Sequence, residues 1–245
     1  MREATIRLFR GEQGQGKTVD YTIELDEGMV VLDAVHQIQA RQAPDLACRW
    51  NCKAGKCGSC SAEMNGRPGL MCMKRMDSFE EGKPLVVHPM RTFPHIKDLV
   101  TDVSWNYEVN KSIPPFRPRE GQPRIAFQED VDRVQEFRKC IECFLCQDVC
   151  HVLRDHANHA RFGGPRFFVR AASLEMHPWD QGGRLGLLKD SLGIGLCNIT
   201  KCCTEVCPEH ITITDNAIIP LKERVVDRFF DPLKMLWRRL RGAGK

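Results

Sequence analysis

The chain has 245 residues, which is room for one or two domains at roughly 150 residues each. Hydrophobic residues make up 42%, enough for a buried core, while a net charge of +4 is too small and dispersed for a nucleic-acid surface. Its 13 cysteines stand in tight groups, which in a reduced compartment read as metal ligands rather than disulfides. The start, MREATIRLFRG, alternates like a strand and lacks the apolar core of a secretion leader. No run of about 18 apolar residues is present to span a membrane.

Residues 4–9 alternate with Ile6 and Leu8 on one face, and residues 19–25 alternate through Val19, Tyr21, Ile23 and Leu25. Both read as strands joined by a glycine-rich turn. That turn, Gly11-Glu12-Gln13-Gly14-Gln15-Gly16-Lys17-Thr18, satisfies the G-x4-G-K-T pattern of a phosphate-binding loop. Phosphate binding there needs a helix starting at the Lys-Thr end. The following Val19-Asp20-Tyr21-Thr22-Ile23 is β-like, so a plain hairpin turn is the expectation.

After a turn at Asp26-Glu27-Gly28, residues 29–41 carry Leu32, Val35 and Ile38 along one helical face. Next comes Cys52-Lys-Ala-Gly55-Lys-Cys57-Gly58-Ser59-Cys60, with Cys72 following a hairpin turn at Asn65-Gly66. The C-x4-C-x2-C spacing with a distant fourth thiol is that of a plant-type [2Fe–2S] site. Glycine lets the backbone approach a cluster and turn N–H groups toward its sulfides. Zinc would favour paired C-x2-C knuckles, and only Cys57 and Cys60 form one. Cys48 offers another register and is treated as a spare. Residues 84–88 are expected to add a closing strand, giving a β-grasp ferredoxin domain.

Residues 89–123 shift in composition, with Pro114, Pro115, Pro118 and Pro123 crowded around Arg117, Arg119 and Gly121. This reads as an extended linker. Residues 128–139 place Val131, Val134 and Phe137 at helical spacing, and further helices are expected at 166–176, after Gly163-Gly164-Pro165, and near 184–192. The second half therefore reads as all-helical.

Cys140-Ile-Glu-Cys143-Phe-Leu-Cys146-Gln-Asp-Val-Cys150 has the spacing C-x2-C-x2-C-x3-C, whose first three thiols wrap one cluster while the fourth serves another. Cys140, Cys143 and Cys146 with distant Cys207, followed by Pro208, make a [4Fe–4S] set. Cys150, Cys197 and Cys203 make a three-thiolate set suited to [3Fe–4S], with Thr200 standing where a fourth cysteine would fall. Cys202 either replaces Cys203 or completes a fourth iron site. A zinc-binding helical module is the competing reading of the same thiols.

These three groups, in this order and ending in Cys207-Pro208, resemble the iron–sulfur subunit of succinate dehydrogenase and fumarate reductase, the respiratory complex II family. The match covers nearly the whole chain. The resemblance implies an α+β architecture: a β-grasp [2Fe–2S] domain over 1–110, a Pro-rich linker over 111–123, and a helical [4Fe–4S]/[3Fe–4S] domain over 124–245. It implies a relay from FAD on a flavoprotein partner through [2Fe–2S], [4Fe–4S] and [3Fe–4S] to quinone at a haem-bearing cytochrome b anchor, with the chain held peripherally at the cytoplasmic face of a bacterial membrane. No residue here need act on the dicarboxylate; that chemistry would belong to the partner. Fumarate reductase, a thiol-linked fumarate reductase or another flavin-linked oxidoreductase would use the same kind of electron-transfer chain.

Three positions depart from the ubiquinone-linked forms. His151 follows Cys150 where proline is common, no Trp lies in His151-Val-Leu-Arg-Asp-His156, and Asn198 replaces a histidine after Cys197. The sequence is more similar to menaquinone-linked bacterial members. His151, His156 and His159 read as surface or supporting residues beside thiolates that already suffice. From Val225 to Arg241 the chain is basic and amphipathic, with Phe229, Phe230, Leu233, Leu236, Trp237 and Leu240 among Arg228, Lys234, Arg238, Arg239 and Arg241. This segment reads either as a lipid- or anchor-facing helix or as a solvated helix closing the core, interrupted at Pro232.

Overall fold

The computed structural model describes residues 2–121 and 125–240, with side chains as far as Trp237. Of the residues singled out above, Pro123 and Arg241 lie outside the described residues, as do the side chains of Arg238, Arg239 and Leu240. Two compact units are formed. The first comprises Met1–Trp105, Ile141–Val149 and Val206–Glu209; the second comprises Asn106–Cys140, Cys150–Glu205 and His210–Lys245.

In the first unit, β1 (Arg2–Glu12) and β2 (Gln15–Leu25) pair antiparallel, with Leu8 opposite Val19. Gln13 and Gly14 close the hairpin with φ of 51° and 81°, the left-handed pair that a two-residue turn requires. Lys17 and Thr18 belong to β2, opposite Arg10 and Phe9, so no helix N-terminus stands behind the phosphate-loop pattern. Helix α1 (Val31–Arg41) buries Val31, Leu32, Ala34, Val35 and Ile38, a stripe at i, i+3, i+4 spacing. β3 (Ser61–Met64) and β4 (Arg67–Leu70) flank the turn at Asn65-Gly66. β5 (Leu85–His88) runs parallel to β1 and antiparallel to β3. A parallel pair needs a long crossover, and here the crossover contains α1, the cysteine loop and the β3–β4 hairpin. The short strands β6 (His95–Lys97) and β7 (Val100–Thr101) extend the sheet to the order β4-β3-β5-β1-β6-β7, with β2 also on β1.

Two features depart from the expected linker. Residues 89–112 are not all connector, since they supply β6, β7 and α2 (Ser104–Ser112). These elements were illegible because the strands are three and two residues long and α2 buries only Asn106. The proline stretch is extended, but it is not a free tether. The Arg119 N–H donates to Trp179 O at 2.9 Å, and Gln181 N–H donates to Arg117 O at 2.8 Å. Arg184 donates to Pro114 O at 2.9 Å and to Pro115 O at 2.6 Å, and its guanidinium pairs with Asp180 at 2.8 Å. Backbone carbonyls bracketed by prolines thus find their donors within the second unit.

That unit is helical. It contains α3 (Gln128–Gln135), which tightens into a 3-10 turn at Glu136–Lys139, then α5 (His151–Arg154), α6 (Pro165–Glu175), α7 (Leu185–Asp190), α8 (Cys202–Glu205), α9 (Ile219–Phe229) and α10 (Pro232–Leu240). Helix α4 (Leu145–Asp148) belongs to the first unit. Phe167, Phe168, Ala171 and Ala172 of α6 are buried at the centre, against a π-helical turn at Ile213–Ile218 that leads into α9. The expected single domain over 124–245 is therefore interrupted. Residues 141–149 and 206–209 join the sheet unit because Phe144 and Leu145 enter its core, with Ile141 and Val206 packed against it. Two apolar residues between cysteines are too short a signal to assign from sequence.

Arg184 and Asp180 are 1% and 0% exposed. Burial works against ionisation of Asp180, yet the guanidinium of Arg184 and the N–H groups of Gly182 and Arg117 hold its carboxyl below the ordinary 3.8. A depressed folded pKa stabilises the fold above the unfolded value and loses that stabilisation as the pH falls. Arg184→Met, which strands a buried carboxylate, is expected to cost about 3–5 kcal/mol near neutral pH. Denaturant unfolding of the full chain should show that loss shrinking below about pH 4.

Candidate metal centres

The first thiol group sits on the irregular segment between α1 and β3, held from both sides. Buried Asp98 accepts hydrogen bonds from Gly11 N at 3.0 Å, Ala47 N at 2.8 Å and Arg10 Nε at 3.0 Å, tying the start of the loop to β1. His36 of α1 meets the Trp50 ring edge-on at 4.8 Å, and Lys53 Nζ lies 4.8 Å over the same ring. The first-turn N–H groups of α1, which have no partner within the helix, donate to the segment carrying Cys72: Val31 N to Lys74 O at 2.9 Å and Leu32 N to Met71 O at 3.1 Å. Met71 N in turn donates to Cys60 O at 3.1 Å, drawing Cys60 and Cys72 together.

Within the loop, Lys53, Gly55 and Gly58 have φ of 55°, 70° and 70°. These left-handed turns point successive N–H groups inward: Ala54 N and Lys56 N donate to Cys52 Sγ at 3.4 and 3.3 Å. Partial burial opposes ionisation of Cys57, but hydrogen bonds with Ser59 and Cys52 bring it down to about 7. Cys60, buried and hydrogen-bonded to Cys72, is pushed up to about 12. The four thiols are thus paired by contact, Cys52 with Cys57 and Cys60 with Cys72. Cys48 stands apart with its thiol toward Arg49 O at 3.6 Å, and burial raises it to about 12.

The other two groups share one local conformation. Cys140 follows a 3-10 turn with φ −64° and ψ 116°, and Cys197 follows the 3-10 turn Ile194–Leu196 with φ −70° and ψ 122°. Glu142 and Phe144 have φ of 56° and 61°; Ile199 and Lys201 have φ of 60° and 64°. A four-residue helix then starts one residue before Cys146 and one residue before Cys203. In this register Thr200 stands at the place of Cys143, Cys203 at that of Cys146 and Cys207 at that of Cys150. Alternating left-handed residues form concave nests of N–H groups, the backbone device found around phosphates and iron–sulfur clusters.

Cys143, Cys146 and Cys207 lie on the first unit, and Cys140 is the last residue of the second before Ile141. Cys150, Cys197, Cys202 and Cys203 all lie on the second unit. Cys150 is pushed up to about 12 by burial, with Cys202 and Cys203 adding to the shift. Burial likewise raises Cys203 to about 11, with contributions from Cys202 and Cys197, so these thiols stand within electrostatic reach of one another. Cys203 is buried and faces Thr214 Oγ1 at 3.4 Å, whereas Cys202 faces Thr200 Oγ1 at 3.2 Å nearer the surface. His151 and His156 are exposed and His159 half-buried, with His151 Nδ1 at 2.9 Å from Asp155.

The candidate donors are uniformly sulfur, the first loop turns the N–H groups of Ala54 and Lys56 to a thiol, and the other two repeat left-handed backbone, which fits iron–sulfur clusters. Among the described residues, no three His, Cys, Asp or Glu side chains converge on a single metal-ion position. Sequence reasoning missed Asp98, His36, Trp50, Ser61 and Thr214. Each acts across a separation that no spacing rule spans.

Two family models match: a 2Fe-2S iron-sulfur cluster binding domain over residues 5–108, and a 4Fe-4S dicluster domain over residues 136–211. The chain is 31% identical to the fumarate reductase iron-sulfur subunit of Mycobacterium tuberculosis (strain CDC 1551 / Oshkosh), with 78% of this chain and 79% of that protein covered. It is 33% identical to a subunit of the CoM/CoB fumarate reductase of Methanothermobacter marburgensis, covering 89% of this chain and 43% of that longer protein. Among solved structures, a chain of the Mycobacterium smegmatis Sdh1 complex in the apo form superposes with a TM-score of 0.91 at 60% identity, covering 94% of this chain and 98% of that one. No described helix is long and apolar enough to cross a membrane. With sheet-borne and helical cysteine cradles in this order, and relatives that match along most of its length, the chain belongs to the family of electron-transferring iron–sulfur subunits of succinate dehydrogenase and fumarate reductase.

Proposed function

We propose that this chain conducts single electrons between the FAD of a flavoprotein partner and menaquinone at a haem-bearing cytochrome b anchor. Cys52, Cys57, Cys60 and Cys72 hold [2Fe–2S] on a β-grasp ferredoxin domain, an assignment supported by the β1–β2 hairpin, the α1 crossover and the parallel β5. Cys140, Cys143, Cys146 and Cys207 hold [4Fe–4S], and Cys150, Cys197 and Cys203 hold [3Fe–4S]. The observation that carries this reading is the repeated pair of left-handed residues, Glu142/Phe144 and Ile199/Lys201. It supports Cys203 over Cys202 as the third-position ligand, and it supports reading Thr200 as the position where a fourth iron would need a thiolate. When bound, such clusters each pass one electron at a time, which splits the pair a flavin delivers.

The residues of the chain govern how favourable each station is. Burial of Cys60, Cys72, Cys146, Cys150 and Cys203 keeps water from the thiolates. At the last station Thr214 N donates to Thr204 Oγ1 at 3.0 Å, Thr204 Oγ1 donates to Thr214 Oγ1 at 3.2 Å, and the Thr214 hydroxyl is left to donate to Cys203 Sγ. A donor to a cluster thiolate favours the more negative, reduced state.

Exposed Phe230, Leu233, Leu236 and Trp237 beside Lys234 support a C-terminal segment that faces the membrane or the anchor at its cytoplasmic side. The same relay runs in either direction between succinate and fumarate. The longer relative named for a CoM/CoB fumarate reductase supports a thiol-linked system as the second reading.

Low-temperature EPR of the anaerobically isolated complex, oxidised and reduced, tests the cluster set; absence of a three-iron signal on oxidation would refute the last assignment. Thr200→Cys should supply the missing thiolate, extinguish that signal and raise the iron content by about one per chain. Thr214→Val should lower the midpoint of the same centre by about 40 mV, the one-electron equivalent of a ~1 kcal/mol hydrogen bond, read by EPR-monitored titration. Deleting residues 229–245 should release the complex from membranes, or at least weaken its retention in flotation, while leaving the cluster signals intact.

A further inference from the structure

We propose that Gly58 and Ser61 form the electron crossing between the first two clusters and set its length. This inference rests on the ligand assignment above, in which Cys57 and Cys60 hold [2Fe–2S] and Cys143 holds [4Fe–4S].

Gly58 lies between two thiols of the first cradle, in a left-handed conformation with φ +70°. A Cβ on Gly58 would stand 2.6 Å from Cys143 Cα, 2.8 Å from its Cβ and 3.0 Å from its N. The obstructing atoms are backbone and Cβ of a second cradle, with no flexible side chain to yield. Glycine is required for two independent reasons here: the sign of φ and the absence of space. Ser61, 6% exposed at the start of β3, seals the contact. Its Oγ lies 2.8 Å from Gly58 O and 2.9 Å from Cys143 O, and its N–H donates to Gly58 O at 3.3 Å. One buried hydroxyl therefore bridges the carbonyl of a residue inside the first cradle and that of a ligand in the second.

The second loop is pressed onto this point by its own packing. Phe144, next to Cys143, meets Phe93 edge-on at 6.2 Å and is 6% exposed. Asp148 is gripped by Thr92, whose N–H donates to the carboxylate at 3.1 Å and whose hydroxyl donates to the backbone carbonyl at 3.1 Å. The two loops thus meet where Gly58 approaches the Cys143 backbone, with the Ser61 hydroxyl joining their carbonyls. Tunnelling is favoured by covalent and hydrogen-bonded paths over gaps. Cys57-Gly58 to Cys143, and Cys60-Ser61 to Cys143, supply two such paths in parallel. With the clusters bound, Cys57 and Cys60 would hold the one-electron donor and Cys143 the one-electron acceptor, so the electron lost by [2Fe–2S] is the one gained by [4Fe–4S] and no bond or proton changes. Gly58 and Ser61 are positioning residues, since neither is a ligand.

Adding a methyl at Gly58 would force the loops apart by roughly 1 Å before carbon atoms reach ordinary contact. The test uses the intact complex with iron content and both EPR signals measured first. Progressive power saturation of the reduced [2Fe–2S] signal then reports how strongly the neighbouring reduced [4Fe–4S] speeds its relaxation. Flash photoreduction reports the rate of equilibration between the two centres. Gly58→Ala is expected to make the [2Fe–2S] signal saturate at several-fold lower power and to slow equilibration several-fold. Ser61→Ala, which removes only the bridge, should slow equilibration while keeping both signals, and Ser61→Thr should restore the rate. Wild-type saturation in Gly58→Ala together with wild-type equilibration in Ser61→Ala would overturn the crossing. Should Gly58→Ala fail to assemble, the Ser61→Ala rate decides alone. A wild-type complex without a [4Fe–4S] signal would instead bring down the ligand assignment.

Discussion

Left-handed backbone around sulfur is the constraint on which this molecule depends. A cluster carries negative charge on its sulfides and thiolates, so its cradle must present N–H groups and exclude carbonyls. Residues with positive φ, alternating with right-handed ones, turn successive N–H groups to the same side. Lys53, Gly55 and Gly58 adopt positive φ in the first cysteine loop, where Ala54 N and Lys56 N reach Cys52 Sγ; Glu142 and Phe144 adopt it in the second, and Ile199 and Lys201 in the third. Most of these residues are not glycine, so each stores about 1–2 kcal/mol of local strain. That strain persists only because packing and ligation over-determine the loop.

The rest of the fold supplies that determination. In the sheet unit the crossover between parallel β1 and β5 is where the first cradle sits, and the N-terminus of α1 holds the segment with Cys72 through N–H groups that have no partner within the helix. In the helical unit, the third cradle is closed by the π-helical turn, which brings Thr214 to Cys203 across eleven residues of sequence. The buried Arg184–Asp180 pair fastens the proline stretch to the same unit. Each device answers a backbone or charged group that would otherwise be buried without a partner.

Function follows from separating chemistry from conduction. As a member of an electron-transferring family, the chain carries its thiols in unlike surroundings, from exposed Cys52 to buried Cys60 and Cys203. Burial opposes ionisation of Cys57 but hydrogen bonds with Ser59 and Cys52 lower it, whereas burial raises Cys60, so two thiols of one loop meet unlike surroundings. Metal binding releases thiol protons, which couples cluster assembly to the surrounding fold.

The amino-acid sequence by itself determined that the thiols stand in spaced groups and which family they point to, because short cysteine loops leave their spacing in the chain: C-x4-C-x2-C, C-x2-C-x2-C-x3-C and the return to Cys207-Pro208. It also determined a hairpin within the glycine-rich stretch 11–18 and another at Asn65-Gly66, the α1 stripe, and helices expected at 166–176 and 184–192 that the structure forms at Pro165–Glu175 and Leu185–Asp190, since turn chemistry and periodicity are local. Tertiary structure alone decided where the cysteine segments 141–149 and 206–209 pack, that the proline stretch is fastened rather than free, and that Gly58 touches Cys143. Those outcomes depend on Phe144 and Leu145 finding an apolar core and on carbonyls finding distant donors. Such contacts join residues tens of positions apart, and burial, unlike spacing, leaves no periodic trace in so short a segment.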